Sequence, residues 1–316
     1  MTSTARAAVP PLTTAGRTAA APSARPGRRR VLTPYLFLTP FYFCYLAFLL
    51  VPTAFALWIS LHSWTGIGPM QWVGLRNYRA LLGDTSFHTA VENTLWYIGA
   101  SILVIVPLAL LIATGLNARG LRGRDTLRLA YFVPMVLSPV IVALIFNIIF
   151  DQQAGLLNNV LHAVIGIKPV NWLGDPTWAK AMIVLLLVWR WTGYLVIYFL
   201  AGLQSIPREL HEAAALDGAG TVRRFVSVTV PMLTPITAFV AITSFIGAAQ
   251  VFEEPYILTK GGPGESTLSI ANFIYRAAFT REQLGYAAAA SFLLFVALFA
   301  LMRLASAVFG IGREDR

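Results

Sequence analysis

Charge is scarce in this sequence. Asp, Glu, Lys and Arg make up only 12% of its 316 residues, while 57% are hydrophobic. A typical soluble domain carries about twice that charged share. With a mean hydropathy of +0.68, the scarcity excludes an ordinary water-soluble globule and points to a polytopic membrane protein. Cysteine is almost missing as well. Cys44 stands alone inside an apolar run, which excludes an intrachain disulfide and a thiolate metal site; it reads as a small lipid-facing or packing residue. His62, His88, His162 and His211 are scattered without ligand spacing, so no metal site is expected. No G-x-x-x-x-G-K-[ST] phosphate loop occurs: the glycines of "LDGAGTVRR" and "TKGGPGE" lack that pattern. No cofactor is therefore expected on this chain, and no catalytic residue set either, since no clustered nucleophile or acid–base group appears. Acidic residues are outnumbered, 14 against 24 basic, for a net charge of +10. In an apolar chain this reads as the arginine bias of cytoplasmic loops rather than as nucleic-acid binding.

The first thirty residues have no acidic residue and are rich in Ala, Pro, Thr and Arg. Such a segment cannot bury a core, so residues 1–30 are expected to form a disordered basic cytoplasmic tail. It lacks the compact apolar stretch of a cleaved secretory signal. Its Arg-rich, acid-poor composition also fits an organellar transit peptide, but a plain tail is the simpler reading.

Six later runs are long and apolar enough to cross about 30 Å of hydrocarbon. They lie at about Tyr35–Leu61, Val91–Leu116, Leu129–Phe150, Ala179–Leu203, Met232–Phe252 and Tyr286–Phe309. The expected fold is all-α, with about six transmembrane helices filling residues 31–316. Pro52, Pro107, Pro134 and Pro139 fall inside these runs and predict kinks. Counting Lys and Arg between the runs gives sixteen on one side and six on the other, which places both termini in the cytoplasm.

The loop of about residues 204–231, "QSIPRELHEAAALDGAGTVRRFVSVTVP", falls on the same cytoplasmic side and is the most polar run in its half of the chain. Pro207 suits the first turn of a helix, with Ser205 as its cap and Glu209 and Glu212 near its positive end. Asp217-Gly218 reads as the turn that ends it. A second helix follows, with Val222, Phe225, Val226 and Val230 on one face, an amphipathic piece on the cytoplasmic leaflet, until Pro231 breaks it. On physics alone, a docking element and an ordinary connector stand level.

The spacing of this loop resembles that of the EAA loop of ABC importer permeases, whose pattern is EAA, three residues, Gly, nine residues, then Ile-x-Leu-Pro. Glu212-Ala213-Ala214, Gly218 and Val228-Thr229-Val230-Pro231 match it, with valine replacing Ile and Leu. "LAGLQSIPRELHEAAALDGAG" and "PYILTKGGPGEST" look like the carbohydrate branch, similar to maltose and glycerol-phosphate permeases; Lys260 stands where glycine is common. The resemblance covers about Tyr35–Phe309. It implies the ABC type I importer fold in a bacterial plasma (inner) membrane. It also implies a permease working with a second permease subunit (a non-identical sister), two cytoplasmic ATP-binding subunits that carry ATP and Mg, and an extracytoplasmic solute-binding protein. Glu212, Ala213, Ala214, Asp217 and Gly218 would form the helix that couples to the ATPase: Glu212 by polar contact, the alanines by close approach, Gly218 by the bend.

For the solute path the sequence offers Arg190, near the middle of the fourth run. An intramembrane charge is costly and marks a functional site by default. Trp189, Trp191 and Tyr194 accompany it, and Gln250, Glu253 and Glu254 sit at the end of the fifth run. Arg190 could equally pair within the bundle or reach an interfacial aromatic belt. Asn147 reads as a helix–helix hydrogen bond. A sugar or oligosaccharide is the leading solute. Glycerol phosphate, a polyamine, an amino acid or another small solute is an alternative, and an ion-coupled secondary transporter a more distant one. The last class places carboxylates at mid-membrane and often shows inverted repeats; no repeat is evident here.

Overall fold

A computed structural model describes residues 28–118 and 121–308. The expected tail lies outside them up to residue 27, and residues 28–30 are already the first turn of a helix. Helix α1 (Arg28–Tyr45) runs through a π turn (Leu46–Leu50) into α2 (Val51–Ser60). A two-stranded hairpin, β1 (His62–Ser63) with β2 (Gln71–Trp72), and α3 (Arg76–Leu82) follow. Helix α4 (Thr85–Ala100) continues through a second π turn (Ser101–Ile105) into α5 (Val106–Leu116). Asp84 caps α4, its Oδ1 accepting from the backbone N–H groups of Ser86 and Phe87, as an N-cap carboxylate should.

These π turns explain the prolines. Pro52, Pro107 and Pro231 each lie two residues beyond a π turn, the third at Phe225–Thr229. In each case the residue before the proline donates its N–H five residues back: Val51 to Leu46, Val106 to Ser101 and Val230 to Phe225. A helical proline lacks an N–H and its ring crowds the carbonyl four residues earlier; the wider π turn moves that carbonyl aside.

The third expected span is not one helix. Helix α6 (Arg124–Val136) and α7 (Pro139–Ile149) are bent by 98°. Ser138 precedes Pro139 and is held extended with ψ 128°, the region to which a pre-proline residue is confined. Among the described residues five helices are long and apolar enough to span a membrane, or six if this bent pair counts as one. A short helix, α8 (Leu156–Ile165), leads to the longest, α9 (Pro176–Ser205), capped by Asp175.

Beyond α9 come α10 (Arg208–Leu216), α11 (Thr221–Arg224), α12 (Val230–Met232) and α13 (Thr234–Ala249). Pro231 does not end the second piece of the polar loop. It sits inside α12, and the interruption is a single turn at Leu233. The chain closes with α14 (Glu253–Leu258), α15 (Ile270–Tyr275) and α16 (Leu284–Val308).

Within residues 55–316, the core is built on α9. Ala109 and Ala113 of α5 are fully buried, packing in one cluster with Ile183, Leu186, Val196 and Phe199 of α9. Small residues let membrane helices approach closely, where lipid supplies no hydrophobic drive for association. Gly193 is the extreme case: a Cβ there would lie 1.7 Å from the Tyr131 carbonyl oxygen of α6. A second cluster joins Leu81, Phe87, Ala90, Phe273, Ala289 and Ala290.

Candidate functional site

Two regions at opposite ends of α13 bear on function, with a recess between them. At its N-terminal end lies the 204–231 loop. Helix α10 has no side-chain cap. Ser205 still belongs to α9, its hydroxyl donating to the Gly202 carbonyl at 2.8 Å, and Pro207 takes the N-cap position. The expected Ser205 cap is thus corrected: α9 runs on to Ser205 and claims its hydroxyl. The C-terminal end follows the Asp217-Gly218 expectation. Gly218 has φ +76°, the left-handed conformation natural to glycine after a helix. Ala219 N–H donates to the Ala214 carbonyl at 2.9 Å, and Gly218 N–H to that of Ala215 at 3.1 Å. The chain then turns into α11 and the third π turn.

The residues proposed for coupling are presented outward. Glu212, Ala213, Asp217 and Gly218 are exposed and Ala214 is half-buried. Among the described residues Glu212 has no ion-pair partner. Leu216 is 90% exposed and Val222 77%. Sequence reasoning passed over Leu216; the signal was there, as the one large apolar residue in the last turn of a polar helix.

The recess lies where the α4–α5 π turn, α9 and α13 meet, and is tight, with a cavity volume of about 30 Å³. Trp191 and Tyr194 line it, with Tyr97, Ser101, Thr243 and Ser244. Tyr194 and Tyr198 share a 2.7 Å hydroxyl–hydroxyl hydrogen bond. The Ser244 hydroxyl is buried and has no hydrogen-bond partner among the described residues, which in a native structure calls for an explanation such as a ligand or water. The π turn brings Ser101 to this wall, and such turns recur at functional sites.

The other sequence candidates go elsewhere. Trp189 is 41% exposed and packs against Phe146 at 5.3 Å. Gln250 is exposed beyond the end of α13 and does not line the recess. Arg190 is buried and donates from Nη1 to Glu254 Oε1 at 2.7 Å, with its guanidinium 5.4 Å from the Trp191 ring centroid. Glu254 is 2% exposed. The recess therefore has the cation behind one wall, neutralised, instead of free inside it. Asn147 makes its hydrogen bond to the Leu258 carbonyl at 3.3 Å, joining α7 to the end of α14.

At the far end of α13, the segment between Thr259 and Ser269 is pinned by α4. Asn93 Nδ2 donates to the Glu265 and Leu268 carbonyls, Tyr97 Oη to that of Thr267, and Thr94 Oγ1 accepts from Ile270 N–H. Lys260, where glycine is common, has φ +51°. Glycine suits that left-handed position, and lysine holds it here while Arg276 donates to its carbonyl.

Residues 105–309 match the family described as "Binding-protein-dependent transport system inner membrane component". The chain belongs to this family. It is an ABC importer permease, a multi-pass component of the inner membrane, and the match takes in the 204–231 loop and the α9 and α13 walls of the recess. Among similar proteins, the arabinooligosaccharides transport system permease protein AraP of Bacillus subtilis (strain 168) is 36% identical over 84% of this chain and 84% of its own. The lactose transport system permease protein LacF of Rhizobium radiobacter is 37% identical over 82% and 88%. A solved chain of a bacterial ABC transporter involved in the import of the acidic polysaccharide alginate superimposes with a TM-score of 0.79. It is 25% identical and covers 90% of this chain and 98% of its own.

Proposed function

We propose that this permease carries a neutral sugar or oligosaccharide, received from an extracytoplasmic binding protein and driven by two ATP-binding subunits. A second, non-identical permease completes the path. The carbohydrate class rests on the named solutes of its relatives and on the recess, which pairs aromatic faces with uncharged hydroxyls. The Arg190–Glu254 pair carries the choice of a neutral solute over an anionic one such as glycerol phosphate: it leaves no free cation among the recess residues. Trp191 and Tyr194 line the solute path, and Arg190 positions Trp191 from behind.

Coupling runs through Glu212, Ala213, Ala214, Asp217 and Gly218, with Leu216 as the apolar knob that enters a cleft of the ATP-binding subunit. When that cleft moves on ATP closure, α10 moves with it and tilts the spans on either side. ATP and Mg belong to the partners. The supporting observation is an exposed helix that ends on a left-handed glycine and offers Glu212 no ion-pair partner among the described residues. Gly218→Asp and Glu212→Arg are expected to insert normally and to abolish ATP-driven uptake in membrane vesicles. Wild-type uptake in both would remove the coupling role.

A further inference from the structure

A second pocket lies at the end of the molecule opposite the 204–231 loop. It is framed by β1, α3, the Asp84 cap of α4 and the start of α16, and has a cavity volume of about 420 Å³. Ligand pockets usually fall between about 300 and 1,000 Å³. Its walls are fixed. Buried Asn77 clamps the chain by donating to the carbonyls of Ser60 and His62 at 2.8 and 2.9 Å. Tyr286 Oη donates to Asp84 Oδ2 at 2.7 Å. Gly285 N–H donates to the Trp64 carbonyl at 3.3 Å, and a Cβ at Gly285 would lie 1.9 Å from the His62 carbonyl oxygen.

The lining is two-signed and aromatic. Trp64 and Tyr286 supply ring faces, Arg281 and Gln283 supply donors, and Asp84 supplies a carboxylate. Arg281 and Asp84 balance to no net charge. The indole N–H of Trp64 is buried without a hydrogen-bond acceptor among the described residues, a rarity for tryptophan. Among the described residues Arg281 and Gln283 hydrogen-bond through their backbone N–H groups, to the Arg276 and Ala277 carbonyls, and not through their side chains. An apolar ligand would leave these donors unmatched, and a simple anion would meet the Asp84 charge. A neutral polyol, with hydroxyls that both donate and accept and a ring face that stacks on aromatics, satisfies the whole set.

We infer that this pocket is a saccharide-binding site separate from the recess at Trp191, one that holds a neutral sugar at the outer end of the permease. The inference goes beyond the transport reading: uptake reports on the recess, whereas the outer pocket is read by binding alone.

The test uses the whole transporter in nanodiscs, without the solute-binding protein and carrying Trp191→Ala to disable the recess. Saturation-transfer NMR is recorded with glucose, lactose and maltose. Transfer to at least one sugar is expected. Adding Trp64→Phe, which keeps a ring but removes the N–H, together with Gln283→Ala, should weaken it about tenfold while thermal unfolding is unchanged. Exposed Gln283→Ala alone should weaken it less and serves if the double variant does not fold. Absence of transfer to all three sugars, or undiminished transfer in the double variant, overturns the site. So does weaker capture of the solute-binding protein by that variant without sugar binding, which would give the pocket to a protein side chain.

Discussion

Two loops flank α13, and they are built in opposite ways. The segment from Thr259 to Ser269 is tied into its own bundle, and among the described residues its Ser266 hydroxyl is the buried side-chain group left without a partner. Thr267 and Ser269 are fully buried, Thr267 Oγ1 donates to the Gly262 carbonyl and shares a 2.6 Å hydrogen bond with Thr259 Oγ1, and α4 holds the carbonyls of Glu265, Thr267 and Leu268. The segment from Arg208 to Val230 leaves Leu216 and Val222 bare and Glu212 without a counter-ion among the described residues. Buried polar groups need partners, and most of those in the 259–269 loop find them within the chain. Exposed apolar side chains beside unpaired charge are what an interface looks like before its partner arrives. The difference is the one expected between a loop that only supports the fold and the loop proposed to meet a partner.

Substitutions can break that contrast, starting with the largest expected effect. Arg190→Ala strands the Glu254 carboxylate in the interior, and breaking a buried pair from one side costs about 3–5 kcal/mol. Thermal unfolding in detergent should fall sharply, and Arg190→Met with Glu254→Gln should recover much of the loss. Recovery of stability without recovery of uptake would mean that the pair also acts in transport. Asn93→Ala comes next. It removes both bonds to the Glu265 and Leu268 carbonyls, about 1–3 kcal/mol for each buried acceptor left unpaired, and should expose the 259–269 loop to protease. Smallest in stability is Leu216→Ser, expected within about 0.5 kcal/mol of wild type as a surface change. Uptake should nonetheless drop severalfold. If Leu216→Ser lowered stability as Asn93→Ala does, the two loops would not differ in kind.

Much of this was legible in the sequence, and the exceptions follow a physical pattern. Hydropathy is a local property, so five of the six spans appear near their expected places. The Glu212–Gly218 motif is also local, and Gly218 adopts the left-handed turn that its type suggests. The third span bends near Pro139, where a kink was expected, and the size of the bend was not legible: a pre-proline residue can either kink a helix or break it, and packing decides; at Ser138 it broke by 98°. The Arg190–Glu254 contact joins residues 64 apart, and no periodicity reports such a pairing. Trp191 and Tyr194 reach the recess while Trp189 does not, because helical spacing turns neighbouring positions to different faces. Tyr97, Ser101 and Ser244 went unnoticed since each is an ordinary residue in an apolar run until three helices bring them together. Short helices such as α8 and α15 carry too little pattern to stand out.

The claim at the centre is that residues 208–230 exist to be gripped by an ATP-driven partner. The most direct measurement is crosslinking from Ala214→Cys in a Cys44→Ser background, in native membranes, with the crosslinked species identified by mass spectrometry. A crosslink to an ATP-binding subunit whose yield changes when ATP is trapped is the expected result. A chain that stays uncrosslinked while it still supports uptake would contradict it.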